Sequence, residues 1–228
     1  MYLPAIMIKA LLFDFDGLIA DTEVPTFESW RQVYADYGVE LTLEDWVPAV
    51  GSGSSTSVAF DAIAHLERLL ARPVDREAVI ARRTKRKEEL YACAPLLPGV
   101  SEMLERARER GIKTAVVTRN QDERVTRHCD RHGLRHCWDA LICANAEPMC
   151  DKAELYRHAL DVLDVAAYEA LAFEDSPSGV RAAKRAGVVC AAVPNDVTRG
   201  ADFGEADVVL ASLAQLEIDD VLRAAGFA

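Results

Sequence analysis

The sequence lacks long apolar runs and an excess of positive charge. No stretch of it is long enough and apolar enough to span a bilayer. Its apolar N-terminus has no basic flank and predicts a strand, not a targeting signal. Only 26 Lys and Arg residues stand against 37 acidic ones, a net charge of −11. This charge disfavours nucleic acid or an anionic membrane surface as a partner. It still allows small anionic substrates, because a local cluster of donors can bind a phosphate on an acidic protein.

Regularly spaced cysteines and internal repeats are also missing. The six cysteines lie at irregular intervals: Cys93, Cys129, Cys137, Cys143, Cys150 and Cys190. This pattern fits reduced thiols better than a disulfide framework, so we expect a cytoplasmic protein. The 228 residues, half of them hydrophobic, suffice for one large domain or one domain with an insert. No feature of the sequence predicts an oligomeric state.

Short apolar runs alternate with helical patterns along most of the chain. The runs cover residues 8–15, 113–120, 139–144, 170–175, 188–194 and 206–212. The helical patterns between them cover residues 100–111, 121–133, 152–164 and 178–187. This alternation predicts an α/β fold, a doubly wound, Rossmann-like parallel sheet with helices on both faces. Ligands of such sheets bind outside the carboxyl ends of the strands.

Residues 21–93 break the alternation. They contain three helical patterns, "TFESWRQVYADYG", "SVAFDAIAHLERLL" and "REAVIARRTKRKEELYA", with no convincing strand between them. We therefore expect a helical cap inserted after the first strand. The predicted organisation is an α/β catalytic core (1–20 and 94–228) and a helical cap (21–93), with the Pro/Gly-rich segment 94–100 as the return linker.

Polar residues end the predicted strands at the edge where parallel strands end together. They are Asp14 and Asp16 at the end of the first strand, Thr118 at the end of the second, Glu174 and Asp175 at the end of "LAFED", and Lys152 at the start of a helix. Carboxylates gathered at one point repel one another and need a cation. Mg²⁺ is the natural choice, because it takes oxygen ligands and shares its shell with phosphate. The sequence therefore predicts one shared site.

The same residues suit phosphate chemistry. Lys152 can balance a carboxylate and a phosphate oxygen, and the Thr118 hydroxyl and the backbone N–H groups of Arg119 and Asn120 can donate to phosphate oxygens. Asp14 could attack phosphorus and form an aspartyl-phosphate. Asp16, two residues later in an extended segment, points the same way. It could protonate the leaving oxygen and later activate water.

Four segments, "DFDGLIADTE", "VVTRN", "DK" and "FEDSPSG", together resemble the motifs of the haloacid dehalogenase-like hydrolase superfamily. The opening motif with its helical cap is similar to the phosphoglycolate phosphatase and β-phosphoglucomutase branch. The resemblance implies that Asp14 is nucleophile and Mg²⁺ ligand, and that Asp16 is general acid/base and a metal ligand through its carbonyl. It also implies that Asp175 ligates Mg²⁺, that Glu174 assists through a water on the ion, and that Thr118 and Lys152 hold the phosphate.

Two details of the motifs bear on the reaction. Lys152 is followed by Ala153, where this branch usually has a proline. The second acid, Asp16, is present, whereas dehalogenases of the superfamily lack it. We therefore expect phosphate-ester chemistry and not carbon–halogen chemistry.

The predicted function is a Mg²⁺-dependent phosphatase acting on a small phosphorylated metabolite. The alternative is a sugar phosphomutase of the β-phosphoglucomutase kind. Two features count against the mutase: the cap segment "GSGSSTS" has no cation for a second phosphate, and Thr26 stands where those enzymes carry a histidine. The candidate specificity residues are Thr26, Gly51, Ser52, Gly53 and Ser54.

Overall fold

Six parallel strands form one sheet in the computed structural model, which describes residues 7–46, 60–145, 151–215 and 218–227. The strands are β1 (Ala10–Phe13), β2 (Lys113–Thr118), β3 (Ala140–Cys143), β4 (Ala170–Glu174), β5 (Val189–Ala192) and β6 (Val208–Val209). Their order in the sheet is β3-β2-β1-β4-β5-β6, and every neighbouring pair is parallel. Each predicted apolar run contains one of these strands, and the predicted α/β class is confirmed.

Helices follow the predicted patterns. Within the described part of the chain they are α1 (Glu23–Asp36), α2 (Leu43–Trp46), α3 (Ala62–Leu70), α4 (Arg76–Ala92), α5 (Val100–Glu109), α6 (Asp122–Arg131), α7 (Lys152–Leu163), α8 (Pro177–Arg185) and α9 (Ile218–Ala224). None of them is both long and apolar enough to cross a membrane. Helices α5 to α8 pack against the faces of the sheet. Its carboxyl edge is therefore the place where side chains at the ends of the strands can meet.

The central strands are buried on both faces. Every residue of β1 and of β4 is buried, which is typical of parallel strands that read as continuous apolar runs. Leu11 and Phe13 of β1 share one apolar cluster with residues of α5, α6 and α9. The helices α7 and α8 pack against each other and against the strands. Helices therefore cover both faces, and the first polar residues after β1 and β4 lie at the edge of the core.

Two helix caps place residues of the predicted site. The Asp151 side chain accepts a hydrogen bond from the backbone N–H of Ala153 at 3.1 Å, so α7 begins at Lys152. The Ser176 hydroxyl accepts one from the backbone N–H of Gly179 at 3.2 Å, so α8 begins directly after the acidic end of β4. Both caps start a helix at the carboxyl edge of the sheet.

The chain divides into two compact units. The core unit comprises residues 1–20, 96–195 and 202–228, and the helical unit comprises residues 21–95 and 196–201. The helical unit has its own apolar cluster, to which Trp30, Tyr34 and Val79 contribute. Residues 94, 95 and 196–201, which the predicted boundaries put in the core, group with the helical unit. Val197 packs into its apolar cluster, and the backbone of residues 94 and 95 bonds to Tyr91 and Asp21. The role of the helical unit as a cap stays a prediction.

We expect a buried histidine on α6 to make the core unit sensitive to acid. His128 is 8% exposed, and its ring meets Phe15 edge to face at 5.2 Å between centroids. Burial, helped by the neighbouring His132 and Arg131, lowers the pKa of His128 to about 4. Because the folded pKa lies below the unfolded value near 6.5, the contribution to stability is complete above pH 6.5 and is lost as the pH falls.

We expect His128→Leu to reduce this acid sensitivity. Between pH 6.5 and pH 5 the wild type should lose about 1.5 kcal/mol more unfolding free energy than His128→Leu. Urea unfolding at the two pH values measures the difference. His136→Leu, at an exposed histidine, is the control and should keep the wild-type dependence. An unchanged slope in His128→Leu would contradict the assignment.

Candidate active site

The ends of β1 and β4 bring two carboxylates side by side. Phe13 pairs with Phe173 in the register, so Asp14 and Glu174 follow at the same level. The backbone N–H of Asp14 donates to the carbonyl of Phe173 at 3.0 Å. Asp14 is 6% exposed and Glu174 is fully buried. Two adjacent carboxylates that are buried in this way require a cationic partner.

Lys152 is that partner. Its Nζ lies 2.7 Å from Oδ1 of Asp14 and 2.7 Å from Oε1 of Glu174. Burial would lower the pKa of Lys152, but the two carboxylates outweigh it and raise the pKa above its ordinary value. The ammonium is therefore charged. Burial and the Asp14 charge raise the pKa of Glu174 to about 8, against the opposing effect of Lys152 and Tyr156. The single ammonium thus does not offset the effects of burial and of the Asp14 charge on Glu174.

Tyr156 completes this network and was not predicted from the sequence. It lies one turn after Lys152 on α7, and its hydroxyl donates to Oε1 of Glu174 at 2.6 Å. The i, i+4 spacing of Lys152 and Tyr156 was the signal in the sequence, because such residues share a helix face. Oε1 of Glu174 thus receives two donors, whereas the buried Oε2 has no hydrogen-bond partner among the described residues.

Three carboxylates converge at this point. One ligand atom each from Asp14, Glu174 and Asp175 lies within 4.8 Å of the others, the one such group among the residues that the structure describes. All three residues are buried. Carboxylate oxygens are the donors that hard cations prefer. A divalent cation would also give the unpartnered Oε2 of Glu174 a ligand bond. It would balance the negative charge of the carboxylates that Lys152 does not. The residues therefore fit a site for Mg²⁺ or a similar ion.

Asn195 ties this cluster to the turn after β1. Its amide nitrogen donates to Oδ2 of Asp175 at 2.8 Å and to the carbonyl of Gly17 at 3.1 Å. Sequence reasoning missed Asn195, although its position shortly after β5 follows the same strand-end rule as the other site residues. The two hydrogen bonds of Asn195 fix one oxygen of Asp175 relative to the turn after β1.

Gly17 is needed at this turn for two reasons. Its φ is +72°, and a Cβ there would overlap Oδ2 of Asp175 and lie 2.6 Å from Nδ2 of Asn195. We expect Gly17→Ala to lower turnover at least about tenfold, because displaced carboxylates no longer meet at the site. Its unfolding free energy should fall by about 1–3 kcal/mol more than that of Gly111→Ala.

Gly111→Ala is the matched control for this substitution. Gly111 also has a positive φ, +66°, but nothing lies within 4 Å of its added Cβ. Both variants carry the same backbone strain, about 1–2 kcal/mol. Equal activity of the two variants would show that the overlap of the added Cβ at position 17 with Asp175 does not affect turnover.

The phosphate-binding candidates at the end of β2 and directly after it have unequal surroundings. Thr118 is buried, and its Oγ1 accepts a hydrogen bond from the backbone N–H of Asn120 at 3.1 Å. This leaves the hydroxyl hydrogen of Thr118 to be donated elsewhere. The Asn120 side-chain amide donates to Oδ2 of Asp16, and Arg119 is exposed. The two contacts of Asn120 differ from the predicted backbone contact with phosphate, and the phosphate roles stay predictions.

One of the five predicted specificity residues, Thr26, lies in the described part of the helical unit. Thr26 lies on α1, and its hydroxyl donates to the carbonyl of Thr22 at 2.8 Å. Because that hydrogen is used, the Tyr91 hydroxyl, 2.7 Å away on α4, donates to Thr26. Thr26 thus joins two helices within this unit. Gly51, Ser52, Gly53 and Ser54 lie outside the described residues, and all five specificity roles stay predictions.

The fold and the site together define a class of protein: Rossmann-like α/β enzymes with a carboxylate–lysine cluster at the carboxyl edge of a parallel sheet. The sequence model of the haloacid dehalogenase-like hydrolase family matches residues 11–193, and the chain belongs to this family. The family predicted from the four motifs is therefore confirmed.

Relatives and solved structures agree with this assignment. The chain is 34% identical to YhcW of Bacillus subtilis (strain 168) over 213 residues, 93% of this chain and 95% of that protein. It is 30% identical to a phosphorylated carbohydrates phosphatase of Thermotoga maritima over 189 residues, 79% of this chain and 82% of that protein. A crystal structure of CbbY from Rhodobacter sphaeroides in complex with phosphate has 31% identity and a TM-score of 0.64, over 92% of this chain and 96% of that one. A CbbY mutant in complex with xylulose-(1,5)bisphosphate has 30% identity, a TM-score of 0.65 and the same coverage.

Proposed function

We propose that this protein is a Mg²⁺-dependent phosphatase that hydrolyses a small phosphorylated metabolite through an aspartyl-phosphate at Asp14. Its relatives support the predicted enzyme class, a phosphoric monoester hydrolase. One observation carries the proposal: the Asp14 carboxylate lies at the end of β1 against Lys152, with the carboxylates of Glu174 and Asp175 beside it. This arrangement offers a nucleophile, a cation and the ligands of a metal ion at one point.

In the first step, a carboxylate oxygen of Asp14 attacks the phosphorus of the ester. The bond between phosphorus and the ester oxygen breaks, and its electron pair stays on that oxygen, which takes a proton from Asp16. The products are the alcohol and the aspartyl-phosphate. Lys152 and the Thr118 hydroxyl balance and orient the phosphoryl oxygens, which carry the negative charge during transfer.

In the second step, a water oxygen attacks the same phosphorus while the Asp16 carboxylate takes a proton from that water. The bond between phosphorus and the Asp14 oxygen breaks, which restores the Asp14 carboxylate and releases inorganic phosphate. Asp16 ends the cycle protonated, ready for the next ester. The net reaction is ester plus water giving alcohol plus phosphate.

Asp14, Asp175 and Glu174 would hold the Mg²⁺, together with the backbone carbonyl of Asp16. When bound, the ion supplies positive charge that lets an anionic ester approach a carboxylate nucleophile. We further propose that the helical unit is the cap that selects the substrate. The mutase alternative is disfavoured because Thr26 offers a hydroxyl already bonded to Thr22 and Tyr91 and no imidazole.

The test is ³¹P NMR of the purified protein with Mg²⁺ and a panel of phosphate esters. The panel includes phosphoglycolate, nucleotides, sugar bisphosphates and β-glucose 1-phosphate primed with its bisphosphate. We expect the inorganic phosphate signal to grow, to stop on addition of EDTA and to resume with excess Mg²⁺. A new ester signal without free phosphate would identify a mutase. No change with any ester would overturn the proposal.

A further inference from the structure

We propose that Asn120 is a positioning residue for acid–base chemistry, whose side-chain amide fixes the orientation of the Asp16 carboxylate. The inference rests on the proposed function, in which Asp16 gives and takes the proton. It assigns Asn120 a role that differs from the phosphate contact predicted from the sequence.

The contact joins the loops after two neighbouring strands. Asp16 follows β1, Asn120 follows β2, and β1 and β2 pair directly in the sheet. Nδ2 of Asn120 donates to Oδ2 of Asp16. The backbone N–H of Asn120 donates to the buried Thr118 hydroxyl at 3.1 Å, which fixes the loop from which the amide projects. The amide is thus held at both its backbone and its side chain.

A second contact sets which end of the amide faces Asp16. Nη1 of Arg124, on the first turn of α6, donates to Oδ1 of Asn120 at 3.3 Å. A guanidinium can only donate, so the amide oxygen must face Arg124 and the NH₂ group must face the carboxylate. Asn120 is therefore a donor to Asp16 and cannot be its acceptor.

The donor has a consequence for the proton. A carbonyl oxygen accepts a hydrogen bond better than a hydroxyl oxygen, so the N–H directed at Oδ2 favours the proton of protonated Asp16 on Oδ1. A carboxyl group that could turn would present this hydrogen in several directions. Because proton transfer depends on the placement of donor and acceptor, a fixed carboxyl should be the more effective acid. In this scheme Asn120 touches neither the ester nor the phosphate.

The test compares esters that differ in their need for a proton. An alkyl alkoxide is a strong base and must be protonated as it leaves, whereas p-nitrophenolate is a weak base and leaves without a proton. Single-turnover release of the alcohol is measured for the alkyl ester that the wild type hydrolyses fastest and for p-nitrophenyl phosphate. The variants are Asn120→Ala and Gln121→Ala. Gln121 is the exposed neighbour whose side chain makes no cap hydrogen bond to α6.

We expect Asn120→Ala to slow release from the alkyl ester about 30-fold, as a partial loss of general acid catalysis. Release of p-nitrophenolate should slow less than about threefold, and KM for the alkyl ester should change less than about twofold. Gln121→Ala should match the wild type with both esters. If the alanine variant does not fold, Asn120→Asp keeps the size of the side chain, removes the donor and should show the same selective loss.

Three outcomes would overturn the inference. They are equal slowing of both esters, a rise of KM as the main effect, or wild-type rates in Asn120→Ala. The first two would mean that Asn120 shapes the loop or binds phosphate instead. A wild type that releases neither alcohol nor phosphate from any ester would overturn the proposed function, and this inference with it. An active wild type without the leaving-group effect would overturn the inference alone.

Discussion

Asp14→Asn is expected to lower phosphate-ester turnover at least about a thousandfold, because a carboxamide oxygen is a poor nucleophile and cannot form the aspartyl-phosphate. Phosphate release at saturating Mg²⁺ measures the loss. An activity above about a tenth of the wild type would remove Asp14 from the role of nucleophile.

The fold should survive this substitution. The amide has the volume of the carboxyl group, and its oxygen can still accept the hydrogen bond that the backbone N–H of Phe15 donates to Oδ1 at 2.7 Å. Lys152 keeps its contact with Glu174. We expect a Tm within about 4 °C of the wild type. Asp151→Asn is the matched control. Position 151 lies next to Lys152, and asparagine caps a helix such as α7 as well as aspartate does.

The sheet and most of the site could be predicted because they rest on local patterns. β1 and β4 are apolar runs, with Asp14 directly after β1 and Glu174 as the last residue of β4, and the strand-end rule then places both at one edge. Lys152 was placed by the start of a helical pattern. The structure brings these three side chains into direct contact.

The features that could not be predicted are contacts between residues that lie far apart in the sequence. The strand-end rule places Asn195 at the right edge of the sheet, but no pattern in the sequence pairs it with Asp175, 20 residues away. Val197 is a single apolar residue in a loop, so nothing in the sequence indicates that its segment joins the cluster of the helical unit. For Asn120, the motif predicts a loop at the end of a strand. The backbone conformation of that loop decides whether the side-chain amide or the backbone N–H of Asn120 binds a partner, and the sequence does not specify this conformation.

Lys152→Met should be the most destabilising of the substitutions considered. It removes the cation between Asp14 and Glu174 and leaves two buried carboxylates with no positive charge. Breaking a buried pair in this way costs about 3–5 kcal/mol of unfolding free energy at pH 7. Turnover should fall at least about a hundredfold, since the phosphoryl oxygens lose a positive partner. Urea unfolding and phosphate release measure the two effects.

Lys184→Met is the control, because Lys184 pairs at 2.6 Å with Asp207 where both side chains are about a third exposed. It should cost at most about 1 kcal/mol and leave turnover unchanged. A stability loss in Lys152→Met no larger than that of Lys184→Met would mean that the buried carboxylates do not depend on the ammonium.

On the proposed function, Mg²⁺ should compensate for the missing ammonium, since the ion would be held by the same carboxylates that Lys152 contacts. Saturating Mg²⁺ should therefore raise the Tm of the variant more than that of the wild type. Equal Tm increases in the two proteins would mean that the ion binds away from Asp14 and Glu174.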